Sequence, residues 1–305
     1  MTHWTVADIP SQAGRSVLVT GTGGLGFETA LALAGAGASV ILAGRNGAKG
    51  ADSVALIKAA HPAATIVFEV LDLASLASVA DFAGRLISRG GGLDLLVNNA
   101  GVMMPPNRQV TADGFELQFG TNHLGHFALT GRLLPLLRAG SAPRVVSVSS
   151  GAHQIGKIRF DDLQWEHDYS PFAAYSQSKL ANLMFALELQ RRSDRHGWGL
   201  LSAAAHPGYA RTDLITNGPG DNGSMSWVSN LLAPVASQSA ADGALPTLFA
   251  ATSPDVKGGG YYGPTRLFEM NGPPGPARIA RQARDTAASE RLWEVSERLT
   301  GIAFG

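Results

Sequence analysis

Residues 17–36 read VLVTGTGGLGFETALALAGA, an apolar segment followed by a glycine cluster and then by a stretch rich in alanine and leucine. Val17–Val19 predicts a β-strand, and Phe27 to Ala36 predicts an α-helix. Between them, Gly21, Gly23 and Gly26 satisfy the spacing G-x-G-x-x-G. Such a loop brings the backbone close to a pyrophosphate, and the helix N-terminus offers unpaired N–H groups to the anion. The alternative is a purely structural turn, but the strand before and the helix after favour dinucleotide binding.

On either side of this loop the chain alternates short apolar segments with helical ones. Further strands are predicted at Ser39–Ala43, Thr65–Val70, Leu93–Val97, Arg144–Val148 and Leu200–Ala205. Helices are predicted at about Ala48–Ala60, Leu76–Ser88, Phe115–Leu137 and Ala173–Arg192. Because the strands are apolar throughout and alternate with long helices, we expect an α/β protein with a single-domain Rossmann fold. Its doubly wound parallel sheet would carry helices on both faces.

One domain is expected to cover residues 1–305, because no second core, repeat or long linker is visible. A loop rich in glycine, asparagine and serine runs from Gly218 to Ser226 and predicts a substrate flap near residues 213–235. The segment from Gly272 to Pro276 is interpreted as a break. A C-terminal helical segment is expected near residues 277–298.

The composition of the chain excludes several classes of function. Of 305 residues, 45% are hydrophobic and 16% charged, and 24 basic residues balance 24 acidic ones. A balanced charge argues against nucleic-acid binding and against a basic membrane patch. The absence of cysteine excludes disulfides, thiol nucleophiles and cysteine-ligated metals. No secretory signal and no membrane-spanning run is visible, so we expect a soluble, cytoplasmic protein.

The end of the second predicted strand bears on the choice of cofactor. An NAD site normally places an acidic residue there to hold the ribose 2′-OH. The chain instead reads Ala43-Gly44-Arg45-Asn46. Since a guanidinium can pair with a 2′-phosphate, we expect NADP(H), bound in part by Arg45. A solvated surface arginine, and with it a preference for NAD(H), is the alternative.

Tyr175 and Lys179 are four residues apart on a predicted helix, so they share one helix face. An ammonium group near a phenol favours the phenolate, so we expect Lys179 to lower the pKa of Tyr175. A tyrosine tuned in this way can exchange a proton with a carbonyl or alcohol oxygen. Ser149 and Ser150 end the fifth predicted strand, at the edge of the sheet where ligands bind in such folds. Asn122 lies inside a predicted helix, where asparagine has a poor propensity, and therefore needs a reason for its position.

In this combination the chain resembles the short-chain dehydrogenase/reductases over about residues 15–262, and most closely their retinol-dehydrogenase-like branch. The matching pieces are the glycine loop, Asn98-Asn99-Ala100-Gly101, Thr121-Asn122-His123-Leu124-Gly125-His126-Phe127, Ser150, Tyr175 with Ser178-Lys179-Leu180-Ala181-Asn182, and His206-Pro207-Gly208.

The resemblance implies a role for each matching residue. Tyr175 would be the general acid/base, and Lys179 would hold the nicotinamide ribose and lower the pKa of Tyr175. Ser150, the second serine of its pair, would hydrogen-bond the substrate carbonyl, and Asn122 would position a water that links Lys179 to solvent. Asp72 and Leu73 would flank the adenine, Asn99 and Ala100 the adenosine ribose, and Pro207 to Thr212 would meet the nicotinamide carboxamide. The full set expected to bind the cofactor is Gly21, Thr22, Gly23, Gly24, Leu25, Gly26, Arg45, Asn46, Asp72, Leu73, Asn99, Ala100, Gly101, Tyr175, Lys179, Pro207, Gly208, Ala210 and Thr212.

Two features depart from the pattern of the family. Only Thr22 and Gly23 separate Gly21 from Gly24-Leu25-Gly26, so the loop is one residue short and cofactor affinity is in doubt. Ser150 and Tyr175 are further apart than usual. We interpret His153 to Pro171 as an insertion that the retinol-dehydrogenase-like branch shares.

The sequence therefore predicts an NADP(H)-dependent oxidoreductase that interconverts a lipophilic alcohol and its aldehyde or ketone. The apolar residues expected above the nicotinamide are Met103, Met104, Pro105, Trp165, Phe172, Tyr209, Met225, Trp227 and Leu231. The alternatives are an NAD(H)-preferring member of the same family and a catalytically silent dinucleotide-binding scaffold. His123 and His126 are interpreted as packing residues, with no metal bound. A homodimer or homotetramer is expected, with Ala181, Leu183, Leu187 and Leu189 able to serve either its interface or the core.

Overall fold

The structure, a computed structural model, describes residues 3–209 and 238–304. Its strands are β1 (Ser16–Thr20), β2 (Ser39–Gly44), β3 (Thr65–Val70), β4 (Leu95–Asn98), β5 (Arg144–Val148), β6 (Leu201–Ala205), β7 (Tyr261–Arg266) and β8 (Asn271–Pro276). Its α-helices are α1 (Gly24–Gly35), α2 (Gly47–Ala60), α3 (Leu76–Arg89), α4 (Leu117–Phe119), α5 (Gly125–Arg138), α6 (Pro171–His196), α7 (Ala240–Thr252) and α8 (Thr286–Thr300). None of the helices within these two ranges is both long and apolar enough to span a bilayer.

The strands form one sheet in the order β3-β2-β1-β4-β5-β6-β7-β8. All neighbours from β3 to β7 are parallel, and β8 pairs antiparallel with β7. The chain winds outward from β1 in one direction and then from β4 in the other. This arrangement confirms the predicted doubly wound Rossmann-like fold.

Helices cover both faces of the sheet, which explains why its central strands are mainly apolar. In β1, Leu18 packs into a core with α3, α5 and α6, whereas Val17 and Val19 pack into a second core with α1 and α7. All three side chains are fully buried. Successive residues of a strand point to opposite faces, so both faces need apolar residues.

Four elements of the structure differ from the sequence prediction in the C-terminal third of the chain. β7, β8 and α7 were not predicted; Gly272–Pro276, interpreted as a break, lies within β8. The C-terminal helix begins at Thr286 rather than near residue 277, because the Asp285 side chain caps it by accepting from the Ala288 N–H at 3.0 Å. A single 3-10 turn, Arg281–Arg284, precedes that cap.

The long helix predicted at about residues 115–137 is divided. A short α4 leads into a π-helical turn, Gly120–Leu124, and then into α5. The Gly125 N–H donates to the carbonyl oxygen of Gly120, which adds one residue to the turn. This widened turn contains Asn122.

Candidate active site

The carboxyl ends of β1, β4 and β5 bring the sequence-predicted residues to one edge of the sheet. β1 and β4 are neighbours at the point where the strand order reverses, and ligands bind in the crevice at such a point. Gly21 follows β1, Asn99 follows β4, and Ser150 lies two residues after β5. Tyr175 and Lys179 reach the same place from the first turns of α6.

The Ser150 side chain lies close enough to the Tyr175 hydroxyl to favour its phenolate form. Ser150 starts a 3-10 turn, and its hydroxyl also accepts from the Ala152 N–H at 3.2 Å. Ser149 is used differently, because its hydroxyl donates to the main-chain oxygen of Lys179 at 2.7 Å. The second serine of the pair is therefore the one that contacts the tyrosine.

The pKa of Tyr175 differs from the sequence expectation. We expected Lys179 to lower it, but burial raises the pKa of Tyr175 to about 12, and the nearby Ser150 side chain only partly opposes this. The Lys179 ammonium lies 5.7 Å from the centroid of the tyrosine ring. Burial lowers the pKa of Lys179 itself to about 8, since a water-poor surrounding disfavours both charged forms. Lys179 Nζ donates to the main-chain oxygen of Val148 at 3.2 Å.

Asn122 ties the loop after β4 to the helix that carries Tyr175. Its side-chain oxygen accepts from the Val102 N–H at 2.8 Å, and its amide donates to the Val102 oxygen and to the Ser178 hydroxyl, each at 3.0 Å. The π-turn gives the reason for an asparagine within a helical region. The predicted role of Asn122 in positioning a water stays a prediction.

Two residues that the sequence analysis did not place in the site connect its parts. The Thr20 hydroxyl accepts from the N–H groups of Asn99 and Ala100 at 2.9 and 3.0 Å. It also contacts His126 Nε2 at 2.9 Å, and His126 Nδ1 donates to the Asn122 main-chain oxygen at 2.9 Å. Burial lowers the pKa of His126 to about 4, so the ring is neutral and Nε2 accepts from the threonine. The sequence offered one signal, a threonine as the last residue of β1.

The glycine loop forms a compact cradle although it is short. The Gly21 N–H donates to the Ala43 oxygen at 2.7 Å, and α1 starts at Gly24. A side chain at Gly26 would overlap the Gly21 carbonyl group and the Asn99 amide. Gly23, the N-cap residue of α1, has no side chain to satisfy the first N–H groups of the helix. An anion could therefore accept from these groups, so the residues fit a dinucleotide phosphate.

The residues expected near the adenosine end lie at the ends of β2 and β3. Arg45 is exposed, and it has no ion-pair partner among the described residues. Asn46 caps α2 by accepting from the Lys49 N–H at 3.0 Å, and Asp72 accepts from the Ala74 N–H at 2.9 Å. Leu73 is 6% exposed and packs in the core. An adenine bound here would contact mainly the backbone of Leu73.

The expected nicotinamide segment is described only in part. Pro207 and Gly208 follow β6, and Gly208 has a φ of +66°. Ala210 and Thr212, the flap near residues 213–235, and Met225, Trp227 and Leu231 lie outside the described residues.

The remaining candidates differ in their burial. Phe172 and Tyr209 are 42% and 37% exposed, whereas Trp165 is buried under the guanidinium of Arg159. His123 Nε2 contacts the Ser296 hydroxyl at 2.9 Å within a cluster of aromatic rings, so it packs against the C-terminal helix. The Gln118 side chain accepts from the Met104 N–H and donates to the Pro171 oxygen. The inserted segment is thereby joined to the loop after β4.

Comparisons with known proteins agree with this geometry. The profile of the family described as short chain dehydrogenase matches residues 15–221. Polyprenol dehydrogenase from Mus musculus is 42% identical over 97% of this chain and 87% of its own length. Retinol dehydrogenase 13 from Homo sapiens is 40% identical over 96% of this chain and 87% of its own length.

Solved structures agree as well. An uncharacterized protein from Mycobacterium paratuberculosis is 43% identical over the whole of both chains, with a TM-score of 0.82. A protein from Shigella flexneri, described as a short chain dehydrogenase and complexed with NADP, has a TM-score of 0.63 at 24% identity. That match covers 83% of this chain and 98% of the other, and it shows a shared fold.

Proposed function

Since this chain belongs to the short-chain dehydrogenase family, we propose that it is an NADP(H)-dependent oxidoreductase that interconverts a lipophilic alcohol and its aldehyde or ketone. The observation that carries the proposal is the proximity of the Ser150 and Tyr175 side chains, with the Lys179 ammonium 5.7 Å from the tyrosine ring. A phenol, a hydroxyl and an ammonium group then meet beside the glycine loop. Few other reactions need all three.

The proposed mechanism gives each side chain one task. The cofactor, when bound, exchanges a hydride with the carbonyl carbon of the substrate. Tyr175, which burial keeps protonated at neutral pH, donates its proton to the carbonyl oxygen in reduction and accepts one in oxidation. Ser150 hydrogen-bonds the same oxygen. Lys179 stabilises the phenolate that remains after proton donation. Asn122 holds Ser178 and Val102 in place through its hydrogen bonds with them.

Arg45 supports NADP(H) over NAD(H). It is exposed at the carboxyl end of β2, and the residues beside it are Gly44 and Asn46 rather than a carboxylate. A guanidinium at this position would pair with a 2′-phosphate, whereas an acidic residue would repel it.

The lipophilic substrate class rests on the pocket residues and on the relatives. Phe172 and Tyr209, two of the apolar residues expected above the nicotinamide, are exposed, and the relatives named above are named for polyprenol and retinol, which are both apolar alcohols. The flap, a cytoplasmic location and the homodimer or homotetramer stay predictions from the sequence.

The test is NADPH oxidation with a long-chain aldehyde, compared with a 2-oxo acid. We expect turnover with the aldehyde, and a loss of about 10²-fold to 10⁴-fold in Tyr175→Phe while NADPH binding persists. Tyr262→Phe is the matched control, because among the described residues that hydroxyl is seen to accept from the Lys257 N–H, away from Ser150 and Lys179. Faster turnover of the acid would refute the lipophilic class, and undiminished turnover in Tyr175→Phe would refute the role of the tyrosine.

Titrations of the protein with NADPH and with NADH test the cofactor preference. Arg45→Glu should reverse the preference for NADPH, whereas Lys58→Glu, at the other end of α2, should not. Binding of neither dinucleotide by the wild-type protein would favour the scaffold alternative.

A further inference from the structure

We propose that Glu269 is a positioning residue that acts through His206 to fix the Pro207–Gly208 turn, where the nicotinamide is expected to bind. The inference rests on the proposed function. Glu269 lies in the connection between β7 and β8, and His206 is the first residue after β6. His206 Nε2 and Glu269 Oε2 are 3.3 Å apart.

Both groups depend on this contact. The His206 side chain is 2% exposed, and neither His206 Nε2 nor Glu269 Oε2 has a hydrogen-bond partner of good geometry among the described residues. His206 Nδ1 accepts from the Gly208 N–H at 3.3 Å, so in the neutral ring Nε2 carries the proton and faces the carboxylate. Gly263 makes room for the imidazole, since any side chain there would overlap it.

The Pro207–Gly208 turn also rests directly against the β7–β8 connection. Gly208 has a left-handed φ of +66°, and a side chain on it would collide with the Met270 carbonyl oxygen. That oxygen accepts from the Tyr209 N–H at 2.9 Å. Glu269 Oε1 accepts from the Arg278 N–H at 2.8 Å, so one carboxylate joins the connection to two other segments.

The backbone of the connection between β7 and β8 is strained where it brings Glu269 to His206. Leu267, Phe268 and Glu269 have φ values of +46°, +56° and +65°, three consecutive left-handed residues without a glycine. Phe268 is 99% exposed, so burial of its ring does not compensate. Backbone strain that no buried side chain offsets indicates a contact that the fold retains. Of these three residues, Glu269 is the one whose side chain points inward.

The experiment compares two ligands, NADPH and 2′-phospho-ADP-ribose, which lacks the nicotinamide. Glutamine at position 269 keeps an oxygen that can accept from the Arg278 N–H but removes the carboxylate charge that faces His206 Nε2. In Glu269→Gln we expect NADPH binding to weaken about tenfold and kcat to fall about tenfold, with 2′-phospho-ADP-ribose binding unchanged within about twofold. Glu290→Gln, an exposed glutamate on α8, is the matched control and should change neither.

A double-mutant cycle tests whether Glu269 acts through His206. In the His206→Gln background, Glu269→Gln should have no further effect. Should His206→Gln fail to fold, the two-ligand comparison decides alone. Equal weakening of both ligands, or a lower melting temperature with unchanged NADPH binding and kcat, would assign Glu269 a merely structural role and overturn the proposal. A wild-type protein that binds neither ligand overturns the proposed function and this inference together, whereas wild-type binding with no effect of Glu269→Gln overturns the inference alone.

Discussion

Lys179 and Tyr175 illustrate how burial acts on opposite charges in one place. The pKa of the tyrosine rises to about 12 and that of the lysine falls to about 8, so the uncharged form gains in both. At neutral pH the phenol keeps its proton and the lysine is still charged. In the proposed mechanism, the phenolate that stabilises this buried ammonium forms only during the reaction.

This buried ammonium makes stability depend on pH. Between pH 8 and 10.5 the unfolded lysine keeps a proton that the folded one has released, so the free energy of unfolding rises with pH across this window. Below pH 8 the penalty is constant. Lys179→Met should remove the rise and increase the free energy of unfolding at pH 7 by about 2 kcal/mol, measured by urea unfolding at several pH values. Lys58→Met, which changes an exposed lysine, is the control and should keep the wild-type pH dependence. An unchanged slope of the free energy of unfolding against pH in Lys179→Met would contradict the burial effect.

Among the elements, the junction of β1 and α1 is packed too closely to accept an added side chain at Gly26. Gly26→Ala would push its new methyl group into the Gly21 carbonyl and the Asn99 amide. Overpacking of this kind costs about 1–3 kcal/mol, so we expect NADPH binding, followed by fluorescence, to weaken about tenfold to a hundredfold.

Gly84→Ala, on the exposed face of α3, is the matched control for that substitution. No atom lies within 4 Å of the added methyl group. It should leave NADPH binding unchanged and stabilise the protein by about 0.5–1 kcal/mol, because alanine favours the helix. Wild-type affinity in Gly26→Ala would mean that this loop does not hold the phosphates.

Elements were predictable where local pattern and tertiary role agree. β5 matches its predicted bounds, because a parallel strand covered on both faces is a mainly apolar run. β3 matches its bounds as well, although it is an edge strand whose Val67 and Val70 are exposed. β8, with the sequence Asn271-Gly-Pro-Pro-Gly-Pro276, carries the composition of a turn. It is an edge strand that pairs only with β7, where proline is tolerated. α7 contains Gly243 and Pro246, which weaken its helical signal.

The candidate site, like the elements, could be predicted only in part. Tyr175, Lys179 and Ser150 were predictable because parallel topology brings strand ends to one edge, and because helical spacing fixes a pair. Glu269 was not, since it contacts His206 from a hairpin whose strands have no apolar pattern. The direction of the Tyr175 pKa shift also needed the structure, because burial is a property of the fold rather than of the spacing.

At the scale of the whole molecule, α8 closes one side of the sheet. Trp293 stacks on Phe185 of α6 with ring centroids 5.6 Å apart, and Phe304 lies 4.5 Å from Trp293. The residues that we expected to serve either a partner or the core, Ala181, Leu183, Leu187 and Leu189, are buried by this chain itself.

Trp293→Ala should therefore be among the most destabilising single substitutions. The side chain is 2% exposed and contacts Phe127, Phe185 and Phe304, so its loss leaves a cavity that costs about 3–5 kcal/mol in urea unfolding. Leu56→Ala, on exposed α2, should change the free energy of unfolding by less than about 0.5 kcal/mol. A loss below about 1 kcal/mol in Trp293→Ala would show that α8 is not part of the cooperative unit.

The position of α8 also bears on how the protein is made. Synthesis proceeds from the N-terminus, so α5 and α6 leave the ribosome long before Trp293 and Phe304 are added. Until then the rings of Phe127 and Phe185 have no native cover from α8. The nascent chain thus carries an apolar face that attracts chaperones and other unfinished chains, and folding is completed only when the last helix has emerged.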